Sequence, residues 1–292
     1  MTYVIIKPIG IVEVIKMKKL SLLITAVLLG FVLLLAGCGN NATQEEANKE
    51  NTTAKEEITD LLAKVKKEGE LRIGTEGTYP PFTFHDKNGE LTGFDVEIAK
   101  EVAKRLGVKP VFMETQWDAM FAGLDAKRFD MIANQVGIRP DRQEKYDFSI
   151  PYTTSAAVLV VHKDNNKIKK FEDIKGLKSA QSMTSNYADL ARSYGAEIVG
   201  VDGFNQAIEL LSSKRVDATI NDKLSVLDFL KQKPDAPIKI VATHEDASQS
   251  GLMFRKGSDT LVAEVNKILK EMMKDGTYSK ISEKWFGQDV SK

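Results

Sequence analysis

The sequence predicts an α/β protein folded as two lobes, each a mostly parallel sheet covered by helices, with two strands crossing between them. Three observations carry this prediction. After Gly69, strand and helix patterns alternate with short connections, the pattern of parallel sheets flanked by helices. One such series is inserted inside another. Two apolar stretches, near Val158 and near Leu252, mark where the chain leaves the first series and where it returns. The 292 residues suffice for two lobes, and 42% hydrophobic with 28% charged residues reads as globular rather than disordered.

The first segment is an address. Lys16, Lys18 and Lys19 precede a 17-residue apolar run, Leu20–Ala36, followed by Gly37 and the only cysteine, Cys38. A basic flank before a short apolar stretch is a secretory leader, and the run sits at the short limit for a membrane-spanning helix. Leu35-Ala36-Gly37-Cys38 resembles the lipobox of bacterial lipoproteins. That resemblance implies cleavage before Cys38, diacylation of its thiol and anchoring to the cell membrane, with the protein outside the cytoplasm. Two acyl chains anchor durably where one is marginal. Met17-Lys18-Lys19 reads as the natural start, so 1–37 is assigned as signal peptide. Residues 38–55, rich in Asn, Thr, Glu, Ala and Lys, are assigned as the lipidated cysteine and a tether.

The globular part then unfolds in order. Ile58, Leu61, Leu62 and Val65 have helical spacing, ending at Gly69. Leu71–Gly74 is a short buried strand, Thr78–Phe82 a Pro-rich loop, and Phe84 with Asn88-Gly89 a hairpin. Phe94–Leu106 carries an apolar helical stripe closed by Gly107. Val108–Met113 is a strand, Trp117–Ala126 a helix and Phe129–Ala133 a strand. The apolar run Ala156–Val161 leaves the first lobe. The second lobe reads as strand Lys178–Gln181, helix Asn186–Tyr194, strand Glu197–Val201, helix Phe204–Ser212, strand Ala218–Asn221, helix Lys223–Lys231 and strand Ile238–Ala242. Gln249–Phe254 is a separate returning strand. Thr260–Lys274 is an amphipathic helix, and Tyr278–Trp285 closes the fold. The lobe assignment is therefore 56–158 with 250–292 for the first and 159–249 for the second. Small ligands in such sheets bind in the crevice at the carboxyl ends of strands.

Composition excludes several functions. Lys+Arg and Asp+Glu are equal at 41 each, so no basic excess points to nucleic acid. With no cysteine after Cys38, the globular part has no disulfide framework. His85, His162 and His244 are scattered, so no metal site is expected, and no motif calls for a cofactor.

Five motifs occur in order: Arg72-Ile73-Gly74-Thr75; Tyr79-Pro80-Pro81-Phe82; Gly93-Phe94-Asp95-Val96-Glu97-Ile98-Ala99; Arg142; and Tyr146-Asp147-Phe148-Ser149 with Pro151-Tyr152. From about Gly69 to Gly287 the chain resembles the polar amino acid-binding proteins of ABC importers, the family 3 type of solute-binding protein. Asn134-Gln135-Val136 is similar to the cystine-binding branch. The resemblance implies a type II periplasmic-binding-protein-like fold, a free amino acid as ligand, a membrane permease as partner and a monomeric receptor that closes by a hinge.

It also implies site residues, and each meets a chemical need. Arg142 falls at the carboxylate-binding arginine, a planar fork that keeps its charge. The Gly137 backbone N–H and Thr184 are implied companion donors. Asp222 matches the ammonium-binding aspartate, with the Gln135 carbonyl sharing the load; a second reading makes Asp222 a helix N-cap, and the two are compatible. Tyr79 and Trp117 match aromatic walls, with ordinary core packing as the alternative. Glu76 reads either as a contact for a second ammonium or as a loop cap. Ser182 and Gln181 are second-lobe contacts, and Phe82 is lobe core. Arg139 departs from the family, which has a small or polar residue there; it reads as solvent-facing or as a competitor for the carboxylate. Asp95 is expected to cap the helix it precedes, and Asp147-Phe148-Ser149 to form a stabilising turn. Cystine is the leading ligand, with glutamine, another polar amino acid or a basic one as alternatives. A cyclohexadienyl dehydratase-like enzyme on the same fold is the rival class. Glu76 would be its acid, and the sequence offers that acid no convincing partner.

Overall fold

The computed structural model describes residues 60–292; the stretches assigned from the sequence as signal peptide and tether, and Cys38, lie outside the described residues. Helix α1 (Leu61–Glu68) starts at Asp60, whose carboxylate accepts from the Leu62 N–H at 2.9 Å, and stops at Gly69, which takes the left-handed conformation that helix ends favour. Strand β1 (Glu70–Thr75) leads into a small three-stranded sheet of β2 (Thr78–Tyr79), β3 (Thr83–His85) and β4 (Leu91–Thr92). Helix α2 (Phe94–Leu106) begins at Gly93, at φ 127, where any Cβ would collide with the Phe82 carbonyl. Then come β5 (Lys109–Glu114), α3 (Trp117–Asp125), β6 (Met131–Gly137), the one-turn α4 (Pro140–Gln143) and β7 (Tyr146–Phe148).

Strand β8 (Thr153–His162) carries the chain into the second series: β9 (Lys178–Gln181), α5 (Asn186–Ser193), β10 (Glu197–Gly200), α6 (Phe204–Ser212), β11 (Ala218–Asp222) and α7 (Lys223–Gln232). Strand β12 (Ile238–Arg255) carries it back, and α8 (Asp259–Lys274) and α9 (Thr277–Phe286) close the first lobe.

The strands follow the order β10-β9-β11-β8-β12-β6-β1-β5, with β7 on β12. Within each lobe the outer strands are parallel: β1 with β5 and β6, β9 with β10 and β11. The crossing pair β8 and β12 is antiparallel and central. Because these two strands pair with each other, the two expected sheets join in one hydrogen-bonded path. The two strands expected at Ile238–Ala242 and Gln249–Phe254 are halves of one 18-residue strand. The sequence hid this because its middle, His244-Glu245-Asp246, is polar and has no apolar alternation. Pairing with β8 is irregular there: Thr243 faces Val158 and Ala247 faces Ala156. Four steps along β12 thus match two along β8, a bulge that bends the crossing. The lobe boundaries assigned at 158 and 249 fall inside β8 and β12.

The cores lie beside the sheet. The α8 stripe of Leu261, Val265, Ile268, Leu269 and Met272 is buried, as is Ile98-Ala99-Val102 of α2. Leu159, Val161, Phe171, Ile174 and Ile220 form one buried cluster of the second lobe. Trp117, Met120, Leu124, Phe129 and Ile132 form a cluster directly under the cleft. Fully burying each large side chain of this kind contributes roughly 1.5–3 kcal/mol. Asp130, fully buried beside β1, accepts from Arg72 at 2.8 Å and Lys64 at 3.2 Å. Burial pushes its carboxyl up, but the two cations outweigh that and hold it below the usual range.

Candidate functional site

A cavity of about 50 Å³ lies between the lobes. The first lobe contributes Glu76, Tyr79, Trp117, Asn134 and Gln135; the second contributes Gln181, Ser182, Tyr187, Phe204 and Asn221, among others. Each sits where the fold turns. Glu76 follows the carboxyl end of β1, Asn134 and Gln135 lie in the last half of β6, Gln181 ends β9 and Asn221 lies near the end of β11. Strand ends open toward the crevice, so the alternation of strand and helix places these side chains together.

Glu76 is tied to Asn134 twice. Its backbone N–H donates to Asn134 Oδ1 at 2.8 Å, and Asn134 Nδ2 donates back to its carboxylate at 2.6 Å. Burial raises the Glu76 carboxyl to about 7; the Asn134 hydrogen bond opposes this, and the charge of Asp118 adds to it. Glu76 is thus a pocket acid poised between its charged and neutral forms near neutral pH. It does not act only as a loop cap.

Tyr79 and Trp117 are both buried and both line the cavity, as the aromatic walls require. Tyr79 also crosses the cleft, donating from its hydroxyl to Asn221 Oδ1 at 2.8 Å and tilting against Phe204 of the second lobe. The Trp117 indole N–H is buried with no partner among the described residues. Ser182 lines the cavity as expected, as does Gln181.

Arg142 is 6% exposed, on the one-turn α4 that the sequence reading missed. Nη1 donates to the Gly137 carbonyl at 3.1 Å, and the guanidinium carbon lies 5.6 Å from the Trp117 ring centre and 5.3 Å from that of Phe121. No carboxylate pairs with it among the described residues; nearby Asp141 and Asp189 are taken by Arg139. Burial, with the charge of Arg139, holds its pKa down to about 10, so it stays cationic at neutral pH. It does not itself form the cavity wall but stands against Trp117, which does. For Gly137 the visible contact is through its carbonyl, not the expected N–H.

Two expected contacts are placed differently. Thr184 is exposed and outside the cavity. Its N–H and hydroxyl donate to Asp118 Oδ1 at 3.0 and 2.7 Å, and the Met183 N–H donates to Asp118 Oδ2 at 3.1 Å. These donors join β9–α5 to the first turn of α3, a role the sequence did not reveal because Asp118 reads as an ordinary first-turn acid. Asp222 is buried, caps α7 through the Leu224 N–H at 2.8 Å, and accepts from Ser155 at 2.9 Å and Tyr187 at 3.2 Å. Burial raises its carboxyl to about 6. It is not in the cavity wall but stands next to Asn221 and behind Tyr187, which are. The cap reading is the one the geometry displays.

Arg139 is partly exposed and does not line the cavity: it crosses to Asp189 of α5 at 2.8 Å and pairs with Asp141 at 2.9 Å. Asp95 does not cap α2, whose N-cap is Gly93. Its carboxylate instead holds Gln135, accepting from the backbone N–H at 2.8 Å and from Nε2 at 2.7 Å. Asp147-Phe148 forms β7 rather than a turn, with Asp147 receiving the Ser258 N–H at 2.9 Å. The residues that sequence reasoning missed are Asp118, Tyr187, Phe204 and Asn221; apart from position at strand ends and helix starts, no local signal distinguishes them.

The model of the bacterial extracellular solute-binding proteins, family 3, matches residues 71–288. The chain belongs to this family. Among curated relatives, the L-cystine-binding protein TcyA of Bacillus subtilis is 53% identical over 277 residues, covering 94% of this chain and all of that one. Among solved structures, the L-cystine solute receptor of Neisseria gonorrhoeae in its unliganded open conformation is 51% identical, covers 80% of this chain and 99% of its own, and superposes with a TM-score of 0.54. An ancestral arginine-binding protein bound to arginine is 40% identical, covers 75% of this chain and 98% of its own, and superposes with a TM-score of 0.71. With Tyr79–Asn221, Asp118–Thr184 and Arg139–Asp189 spanning the cleft, this structure is a closed form.

Proposed function

We propose that this family 3 protein receives L-cystine outside the cytoplasm, holds it between the closed lobes without changing it, and delivers it to the permease of an ABC importer. The observation that carries the reading is Arg142: a buried guanidinium with one carbonyl partner and no carboxylate among the described residues. A buried cation without a counter-charge is costly, and the carboxylate of an amino acid held against Trp117 would offset that cost. The aromatic Tyr79 and Trp117 give the ligand broad contact, and the unpaired indole N–H is a ready donor to a carboxylate. Cystine is a dimer of amino acids joined by a disulfide, so it carries two ammonium groups. Glu76 suits one of them, since approach of a cation would ionise its carboxyl. Asp222 suits the other through Tyr187 and Asn221. The 53% identity to a cystine-binding relative over nearly the whole chain supports the same ligand.

The receptor is further proposed to be a monomer, with Cys38 diacylated as its anchor. Binding rather than catalysis is favoured because Glu76, the acid a dehydratase would need, is paired among the described residues only with the amide of Asn134. Mass spectrometry of the co-purified ligand and calorimetry with a panel of amino acids test the ligand. Arg142→Ala should weaken binding of every amino acid by about 2–5 kcal/mol, roughly 30-fold to several thousand-fold in Kd. Unchanged affinity in that variant would remove the assignment. Conversion of prephenate or arogenate by the wild type would replace binding with enzymatic turnover.

A further inference from the structure

We propose that Asp95 is a positioning residue of the cleft, holding Gln135 in a backbone conformation that Gln135 would not keep on its own. This rests on the reading of the cavity as an amino-acid site. Gln135 lines that cavity and sits at φ 51, the left-handed region in which the Cβ of an L-residue is crowded. Its strand is irregular here: Val136 faces Gly251 and Ile132 faces Met253, so four steps along β6 match two along β12, a bulge that takes Gln135 out of regular strand geometry. A bulged residue at positive φ still carries a cost, and a contact from outside the strand would offset it.

Asp95 is placed to do so. Its Oδ2 accepts from the Gln135 backbone N–H at 2.8 Å and its Oδ1 from Gln135 Nε2 at 2.7 Å, so one carboxylate fixes both the peptide and the side chain. Asp95 is fully buried, and its own N–H is anchored on the Phe82 carbonyl at 2.9 Å. Nε2 also reaches the Thr153 hydroxyl, the first residue of the crossing strand β8, at 3.2 Å. The helix does not need this acid: α2 has Gly93 as N-cap, without a side-chain cap. Burial raises the Asp95 carboxyl to about 7, so a charge here is costly and is retained for some other reason. Gln135 Oε1 is buried with no partner among the described residues, a second cost borne at one residue. Strain and an unpaired polar atom on a cavity residue, held by an acid that caps nothing, mark a binding loop kept in one shape.

A double-variant cycle with L-cystine as probe, read by calorimetry, tests this. Asp95→Asn keeps the volume but offers one acceptor where two donors must be held. It should weaken cystine binding by about ten-fold or more in the wild-type background, and by less than about three-fold in the Gln135→Gly background, where glycine takes positive φ unaided. The same factor in both backgrounds would mean that Asp95 acts only through general stability, and would overturn the inference. If Asp95→Asn does not fold, Gln135→Ala against Gln135→Gly decides the matter. Both lose the amide, but only alanine keeps the strain, so alanine should bind about five-fold more weakly or worse; equal affinities overturn the inference. A wild type that binds no amino acid would instead sink the reading of the cleft itself.

Discussion

Three buried acids set the pH behaviour of single residues in this protein. Burial raises Glu76 and Asp95 to about 7 and Asp222 to about 6. Unfolded carboxyls titrate near 4. Each group therefore binds its proton more tightly in the folded form, and its contribution to stability is fully present below about pH 4 and lost as pH rises through about 6 to 7. Without added amino acid, the denaturant midpoint should rise as pH falls from about 8 to about 5. Acids held low by their partners, such as Asp130, reverse the trend only below about pH 4. Cystine affinity should move the other way. A ligand ammonium favours ionised carboxylates, so binding near neutral pH should release protons and weaken toward pH 5. Calorimetry in two buffers of different ionisation enthalpy counts those protons. Glu76→Gln should abolish most of the release; an unchanged proton count would show that Glu76 stays away from the ligand.

Helix α7 is the element on which two readings of Asp222 meet. Its carboxylate accepts from the Leu224 N–H, Ser155 and Tyr187 at once. Asp222→Ala should destabilise by about 1–3 kcal/mol, because a cap is lost and buried donors are left unpaired. Asp222→Asn separates the roles: asparagine caps as well as aspartate but carries no charge. Stability should stay near wild type while cystine affinity falls, and retained affinity would confine Asp222 to capping. The sequence displayed the second role as well as the first, since an aspartate before Lys223 reads as a cap. It displayed the elements almost residue for residue where apolar spacing is strong, as in Phe94–Leu106 and Phe204–Ser212. It failed where pairing, not pattern, makes the element. The polar middle of β12 is held by β8, and α4 is a single turn too short to show a stripe. The site divides in the same way. Glu76, Tyr79, Trp117 and Ser182 fell within cavity walls because motif position reports strand ends. Thr184 did not, because its partner Asp118 lies 66 residues away in sequence and nothing local announces the pair.

Closure of the whole molecule depends on groups of the chain itself as well as on the ligand. Asp118 receives three donors from Met183 and Thr184, Tyr79 meets Asn221, Ser225 donates to the Pro80 carbonyl at 2.6 Å, and Arg139 meets Asp189. A ligand shifts the open–closed equilibrium only by its differential affinity for the two forms. Contacts that already favour closure reduce the share the ligand must supply, and raise its apparent affinity by enlarging the competent fraction. The contacts differ in weight. Arg139–Asp189 is a partly exposed pair, worth about 0.2–1 kcal/mol and screened by salt. Asp118 is a charged acceptor of three bonds, and hydrogen bonds to charged groups contribute roughly 1.5–3 kcal/mol each at most. Asp118→Ala should therefore expand the protein in solution scattering without amino acid. It should also speed cystine dissociation by about ten-fold or more, since closed-state contacts act mainly on departure. Arg139→Ala should change dissociation by less than about five-fold, with the difference vanishing in high salt. An Asp118→Ala protein with the wild-type radius and dissociation rate would mean that the ligand alone closes the lobes, and that the spanning contacts follow closure without favouring it.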